Sequence, residues 1–306
     1  MPACRESSWS RPTPRCFWPI TRPWSAPCRP EAGPGRAEVT GTARAALFME
    51  LAVYPKPGLV SFVDSGSHRD MDAATFLASL DVVAPAVGRI RRAAAAGAGL
   101  ADLRRIGLRA EARMLAATGG VNTHKGAIFI LGLLAAAHAA LAPAGGPVAA
   151  TALCGQVAKA FGPALLASYP AVPTTHGERL HTSHGIGGVR REAALGFPCL
   201  VAHGLPALRA ALAAGVDAVT AGVQAHFALL AHIEDTTLLR RGGLAGQDFA
   251  RTRAREFLAA GGVLAPGWKG RARALHQVFV ARNLSAGGAA DLLAATYFCH
   301  FLEEAP

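Results

Sequence analysis

Apolar residues recur at helical spacing along most of this chain of 306 residues, and no stretch alternates apolar and polar positions for long enough to indicate a sheet. Alanine, leucine and arginine dominate the composition, and all three favour helix. The pattern predicts helices over residues 42–54, 73–96, 100–117, 128–141 and 216–232, and a final helix after Gly287 and Gly288. We therefore expect an all-α fold, a single large multi-helix domain with functional residues in the loops between helices.

The first 40 residues differ from the rest of the chain. They contain eight of the 20 prolines, three of the four tryptophans and no apolar periodicity. Such a segment cannot bury enough apolar surface to form a packed unit, and it lacks the apolar stretch of a signal peptide. We interpret residues 1–40 as a disordered extension or a start codon assigned too far upstream, and we place the folded domain at residues 41–306.

The formal net charge of +11 comes from arginines that are scattered along the predicted helices and not gathered in blocks. Few aromatic residues accompany them, so nucleic acid is only weakly supported as a partner. A basic cleft for a polyphosphate ligand explains the same excess of positive charge. The six cysteines show no C-x-x-C spacing and are expected to be reduced, as in a cytoplasmic protein.

Residues 126–158 carry no formal charge, so a membrane span has to be considered. Pro143 and the pair Gly145 and Gly146 break this stretch, and its first piece, of about 17 residues, is at the short limit for a span. We expect a buried central helix here and no membrane partner.

The densest polar motif is the turn at residues 118–129, which carries Gly119, Gly120, Asn122, Thr123, His124 and Lys125. The two glycines allow positive φ, and the helix that follows offers unpaired N–H groups to an anion, beside the charge of Lys125. The motif is not a Walker A loop, since helices flank it and no Ser or Thr follows the lysine. A simple helical hairpin turn, capped by Asn122 or Thr123, is the competing interpretation.

The loop between the first two predicted helices is also dense in polar residues. Lys56, His68 and Arg69 can contact phosphate, while Asp70 and Asp72 can hold Mg²⁺ through oxygen. For Asp72, capping of the helix that starts at residue 73 is an equally good explanation.

Residues 168–198 bring together three histidines, His176, His181 and His184, which raises the question of zinc. Their spacing matches no metal signature, so zinc is disfavoured. Glycines beside Arg190 and Arg191 fit the close approach of an anion better.

Four further acids have competing explanations. Glu111 lies on a basic helix, where an exposed pair with arginine is its simplest role. Glu234 and Asp235 follow a predicted helix end, where acids oppose the helix dipole, so we expect a cation near them. For Asp291, compensation of the final helix's dipole is the favoured role.

Taken together, five dispersed segments resemble the triphosphoribosyl-dephospho-CoA synthase family. They occur in order over about residues 45–300, and in register they are far more specific than any one of them. The segments are Pro-Lys-Pro-Gly-Leu-Val at 55–60, Ser-Gly-Ser-His-Arg-Asp-Met-Asp at 65–72, the turn at 118–129, residues 185–193 with 196–198, and residues 283–296. The chain departs from the family pattern at Tyr54, where many members carry Thr, and at Thr237, where many carry Asn.

The resemblance implies an all-helical enzyme that joins ATP to 3′-dephospho-CoA and releases adenine. Its product is the precursor of the prosthetic group of an acyl carrier protein. Residues 63–76 look closer to the malonate decarboxylase branch of the family than to the citrate lyase branch.

The resemblance also suggests roles for the polar residues. The triphosphate would be held by Lys56, His68, Arg69, Gly119, Gly120, Asn122, Thr123, Lys125 and Arg190, with Mg²⁺ on some of Asp70, Asp72 and Asp235. Asp70 or Glu111 would face the developing ribose cation or act as base, and His124 is a further catalytic candidate.

Two other classes of protein remain open at this point. A helical regulatory protein that binds a nucleotide without chemistry would need the cationic loops but fewer acids. A small integral membrane protein would need residues 126–141 in lipid. The sequence also leaves a homo-oligomer open.

Overall fold

A computed structural model describes residues 38–169, 172, 179, 181–183 and 185–305, and this part of the chain is helical, without a strand. The predicted all-α fold is confirmed. The helices are α1 (Glu38–Ala52), α2 (Ala73–Ala95), α3 (Leu100–Ala117), α4 (Lys125–Leu141), α5 (Ala150–Ala167), α6 (Gly188–Ala194), α7 (Leu205–Ala213), α8 (Ala218–Leu230), α9 (Thr236–Ala259), α10 (Trp268–Ala281) and α11 (Gly287–Glu303). A π-helical turn, Leu200–Gly204, precedes α7, and a 3₁₀ turn, Gly262–Leu264, precedes α10.

Some of the expectations concern residues that the structure does not describe. These are residues 1–37 of the expected extension and two of the three histidines considered for zinc, His176 and His184.

Helices α4 and α11 form the centre of the fold. Helix α4 is apolar around its whole circumference, which is the pattern of a helix buried on all sides. It packs against α2, α3, α5 and α11, while α11 packs against α1, α4, α8 and α9. The prediction of a buried central helix is therefore confirmed.

Among the described residues, one helix is long and apolar enough to cross a membrane by length and composition alone. This is α2, in which 44% of the most apolar window is buried by the rest of the chain. It packs against α1, α3 and α4. A single helix of this kind is also typical of a protein core, so it is weak evidence for a membrane span.

Two helices begin earlier than the sequence predicts. Helix α1 starts at residue 38, because Val39 already packs into the core at 2% exposure. Helix α4 starts at Lys125, whose N–H is accepted by the Asn122 side chain at 3.1 Å. The capping role expected of Asn122 or Thr123 is thus met by Asn122, although the N-cap position itself belongs to His124.

The expectation that Glu234 and Asp235 oppose a helix dipole is wrong. Helix α8 ends at Leu230, and Asp235 is the N-cap of the next helix, α9. Its carboxylate accepts the N–H groups of Thr237 and Leu238 at 2.8 and 3.0 Å. An acid in this position complements the dipole, so no cation is required to explain it.

Gly222 of α8 allows α11 to approach, and this contact provides a test of the packing. A Cβ at Gly222 would collide with the hydroxyl of Tyr297, which donates to the Ala218 carbonyl at 2.6 Å. We expect Gly222→Ala to lower the free energy of unfolding by about 1–3 kcal/mol, the usual cost of overpacking. Denaturant unfolding followed by circular dichroism measures this change.

Gly155 is the matched control, since it lies on the exposed side of α5 with no atom within 4 Å of an added Cβ. Gly155→Ala should raise the stability by roughly 0.5–1 kcal/mol through helix propensity. Equal effects at the two positions would contradict the packing described here.

Candidate active site

A cleft opens where four parts of the chain meet. These are the end of α1 with the loop that follows it, the turn before α4, the first turns of α9, and the segment that leads into α11. Four of the five segments singled out in the sequence therefore converge. The polar side chains that line the cleft are Glu50, His68, Asp70, Asn122, Thr123, His124, Lys125, Thr237, Arg240, Arg241, Ser285 and Asp291.

The loop between α1 and α2 is locked to the segment before α11. Gly58 has a φ of 70°, and a Cβ there would collide with the Leu284 carbonyl, so glycine is required for the close approach. The Ser67 hydroxyl donates to the same carbonyl at 2.6 Å. His276 of α10 adds a third contact, with Nδ1 2.8 Å from the Lys56 carbonyl oxygen. This loop therefore holds its polar side chains at fixed positions.

His68 organises the wall of the cleft and does not act as a cation. Its Nδ1 accepts from Arg241 at 3.2 Å, and its Nε2 lies 2.9 Å from the Ser285 hydroxyl. Burial, followed by the charge of Arg241, lowers the pKa of His68 to about 4. The imidazole is therefore neutral at pH 7, and it positions Arg241 and Ser285.

Lys56 lies elsewhere than the sequence suggested. Its ammonium is fully buried and pairs with the carboxylate and the main-chain carbonyl of Glu50. Lys56 does not line the cleft, whereas Glu50 does. A direct contact between Lys56 and a phosphate does not fit this arrangement, because the ammonium has no exposed surface. Its role is to hold a buried carboxylate at the base of the cleft.

The turn before α4 has the geometry expected of it. Gly119 and Gly120 have φ angles of 65° and 91°, so both use the conformation that glycine permits. Beyond them, the Thr123 hydroxyl donates to Ser79 at 2.7 Å, and the Ser79 hydroxyl lies 2.6 Å from Nδ1 of His124. Ser79 of α2 thus fixes the ring of His124, a contact that sequence reasoning missed.

His124 presents an unsatisfied nitrogen. The side chain is only 3% exposed, and Nε2 has no hydrogen-bond partner within the protein. Burial, followed by the charge of Lys56, lowers its pKa to about 3, so the ring is neutral. A buried polar atom without a partner is costly, and a ligand atom in the cleft would satisfy it.

Lys125 and Glu111 form an ion pair. The lysine side chain is 61% exposed and the glutamate 16%. Lys125 lines the cleft and Glu111 does not. The partner of Glu111 is therefore a lysine from the turn and not the arginine expected from its own helix.

Two of the expected cationic residues lie outside the cleft lining. Arg69 is exposed at the surface. Arg190 stacks over the ring of Tyr169 at 4.7 Å and donates to the Ser168 carbonyl at 3.3 Å. The segment around residues 185–193 is thus the one motif that the structure does not bring to this cleft.

The three acids expected to hold metal have different surroundings. Asp72 caps α2 by accepting the Thr75 N–H at 2.9 Å, and Asp235 is fully buried, with its second oxygen accepting the Ala289 N–H at 2.9 Å. Backbone donors thus contact one oxygen of Asp72 and both oxygens of Asp235. Asp70 alone lines the cleft, with a side chain 62% exposed.

Sequence reasoning did not assign four charged residues to the cleft, which are Glu50, Arg240, Arg241 and Asp291. Arg240 is exposed and follows the first turn of α9. Asp291 lies in the cleft wall, and its pKa is raised well above the usual range by burial and by the charges of Glu50 and Asp235. An acid within a run of small and apolar residues is a signal of burial that could have identified Asp291.

Exposure divides the cleft into two zones. The exposed rim carries Lys125 and Arg240 together with Asp70, whereas the deeper floor carries Glu50, His124 and Asp291. Such a cleft can hold an anionic group at its rim and expose an uncharged group to acids and a neutral imidazole below.

Comparison with known proteins identifies relatives over almost the whole described chain. The family model of CitG, ATP:dephospho-CoA triphosphoribosyl transferase, matches residues 36–306. The 2-(5″-triphosphoribosyl)-3′-dephosphocoenzyme-A synthase of Pectobacterium atrosepticum is 40% identical over 263 residues, 83% of this chain and 86% of the relative. The enzyme of the same name from Klebsiella pneumoniae is 40% identical over 270 residues, covering 85% and 89%.

No solved structure matches this chain. The expected family was inferred from five short segments, and the match to the family model extends beyond them on both sides. The chain is a transferase and belongs to the CitG family of ATP:dephospho-CoA triphosphoribosyl transferases.

Proposed function

We propose that this protein transfers the 5-triphosphoribosyl group of ATP to the ribose 2′-hydroxyl of 3′-dephospho-CoA and releases adenine. Membership of the family supports the reaction. The structural observation that carries the proposal is a cleft with a basic rim and a floor of acids and one neutral histidine. A triphosphate at the rim and a ribose at the floor match this division of charge.

The reaction explains why both zones are needed. Carbon 1′ of the ATP ribose has to release adenine and accept an alcohol, while the triphosphate remains attached throughout. The triphosphate therefore binds without reacting, and its binding energy can be used to orient the reacting carbon. Lys125 and Arg240 at the rim are placed to hold it. The positive charge that develops on the ribose is stabilised by the Glu50 carboxylate below.

We propose that Mg²⁺ binds together with the triphosphate. Among the described residues, no three His, Cys, Asp or Glu side chains are grouped to hold a metal by themselves. Mg²⁺ needs only one or two carboxylates when phosphate oxygens and water complete its shell. Asp70 at the rim fits this role, whereas Asp72 and Asp235 are occupied by backbone N–H groups. The bound ion would neutralise part of the triphosphate charge.

The proposal also concerns the protein that receives the product as its prosthetic group. We infer that the product becomes the prosthetic group of the acyl carrier protein of a malonate decarboxylase, in the cytoplasm. The sequence of residues 63–76 supports this inference, because it resembles the malonate decarboxylase branch of the family more than the citrate lyase branch.

The reaction itself is tested by mass spectrometry of purified protein with ATP, Mg²⁺ and 3′-dephospho-CoA. We expect free adenine and a product heavier than dephospho-CoA by one triphosphoribosyl group, in equal amounts. Omission of dephospho-CoA is the control and should abolish the product. Binding of ATP without any adenine release would instead support a regulatory nucleotide-binding protein.

Arg240 is predicted to hold the triphosphate. Arg240→Ala should raise the KM for ATP by about tenfold or more, the loss expected for one charge-assisted contact, and should leave the melting temperature unchanged. Arg104, an exposed arginine of α3 outside the cleft lining, is the matched control. Equal effects of Arg104→Ala and Arg240→Ala on the KM would show that only net charge matters.

Asp70 is predicted to act through Mg²⁺. Calorimetric titration of ATP into wild-type protein should show tighter binding with Mg²⁺ than without it. In Asp70→Asn, the increase in ATP affinity caused by Mg²⁺ should be about tenfold smaller. The substitution removes a carboxylate ligand of the ion while keeping the shape of the side chain. Binding of ATP without Mg²⁺ should not weaken, since the carboxylate and triphosphate repel each other. An unchanged gain in the variant would remove Asp70 from the metal site.

A further inference from the structure

Two acids at the floor of the cleft are not explained by the binding of a triphosphate. Glu50 reaches the floor from α1, and Asp291 reaches it from the start of the second turn of α11. Lys56 contacts Glu50 from within the core. The charges that act on Asp291 are those of two further acids, Glu50 and Asp235. Asp291 therefore has a neighbourhood that disfavours its anion.

The position of Asp291 depends on the packing of α4 against α11. A Cβ at Gly126 would collide with the Asp291 carboxylate, so the glycine lets the first turn of α4 lie directly on it. The side chain is held from this side, and it lines the cleft on the other.

The surroundings of the two acids differ in the charges that face them. For Asp291, burial has the largest effect and the charges of Glu50 and Asp235 add to it, so its pKa lies well above the usual range. Burial also raises the pKa of Glu50, but the ammonium of Lys56 opposes that rise. Two neighbouring acids with such different partners can share one proton, which then resides on Asp291.

His124 provides an independent sign that a ligand occupies this floor. It lines the same part of the cleft, it is almost completely buried, and its Nε2 has no partner in the protein. This ring nitrogen can form a hydrogen bond with a group that enters the cleft.

We propose that Asp291 is the acid that protonates adenine as it leaves, and that Glu50 is the base that accepts the proton of the attacking hydroxyl. This assignment rests on the reaction proposed above. The bond between C1′ and N9 of ATP breaks, its electron pair stays on adenine, and adenine takes the proton of Asp291. The 2′-oxygen of dephospho-CoA bonds to C1′ and gives its proton to Glu50. One proton then passes from Glu50 to Asp291, which restores both groups.

The test compares ATP with 8-azaadenosine triphosphate, whose base is a better leaving group and needs less help from an acid. With ATP, Asp291→Asn should lower the kcat of adenine release by about 100-fold or more and leave the KM for ATP within about threefold. With the 8-aza analogue, the loss in kcat should be at least about tenfold smaller. Asp81→Asn, an exposed acid of α2 that pairs with Arg44, is the control and should change neither value.

Each other outcome overturns a defined part of the argument. An equal loss of kcat with both substrates excludes the acid role of Asp291. Recovery of the kcat of Asp291→Asn by excess Mg²⁺ would instead show that Asp291 is a metal ligand. A wild-type protein that releases no adenine with dephospho-CoA removes the proposed function as well. If Asp291→Asn does not fold, the pH dependence of the wild-type kcat decides. It should fall with rising pH more steeply for ATP than for the analogue, and identical profiles would exclude the acid.

Discussion

The contact between Lys56 and Glu50 is the interaction on which the geometry of the cleft depends. Both side chains are removed from water, and a buried charge is tolerated only while its partner stays in place. Lys56 also donates to the Glu50 main-chain carbonyl and so binds the end of α1. The loop that follows is held at its start by this contact and at its end by the Asp72 cap. Everything that the loop presents to the cleft lies between these two fixed points.

The cleft is built from the beginnings of helices. The N-terminal turns of α4, α9 and α11 all contribute to its lining. Each helix start carries a partial positive charge, and Asp235 already accepts N–H groups at the starts of α9 and α11. A site of this kind can attract a polyanion with few lysines, because the backbone supplies part of the charge.

Much of the fold follows from the sequence, since the apolar spacing of α2, α3 and α4 determines where they begin and end to within a few residues. The site was harder to predict, because its members come from distant segments. Lys56 shows the difficulty: a lysine in a polar loop has the composition of a phosphate ligand, and only the fold reveals that it is buried. Asp291 shows the reverse case. Its position near a helix start suggested dipole compensation, and its neighbours Glu50 and Asp235 are distant in sequence.

The burial of α4 and α11 has a consequence for how the protein loses activity on heating. In many enzymes the catalytic residues lie on loops that open well before the core unfolds. Here His124, Lys125 and Asp291 lie at or near the N-terminal ends of the two most buried helices. They do not lie on a separate loop that could open before the core unfolds. We therefore expect thermal inactivation to coincide with the unfolding of the core. The temperature at which the site fails is then set by the apolar packing of alanine, leucine and isoleucine several turns away from the chemistry.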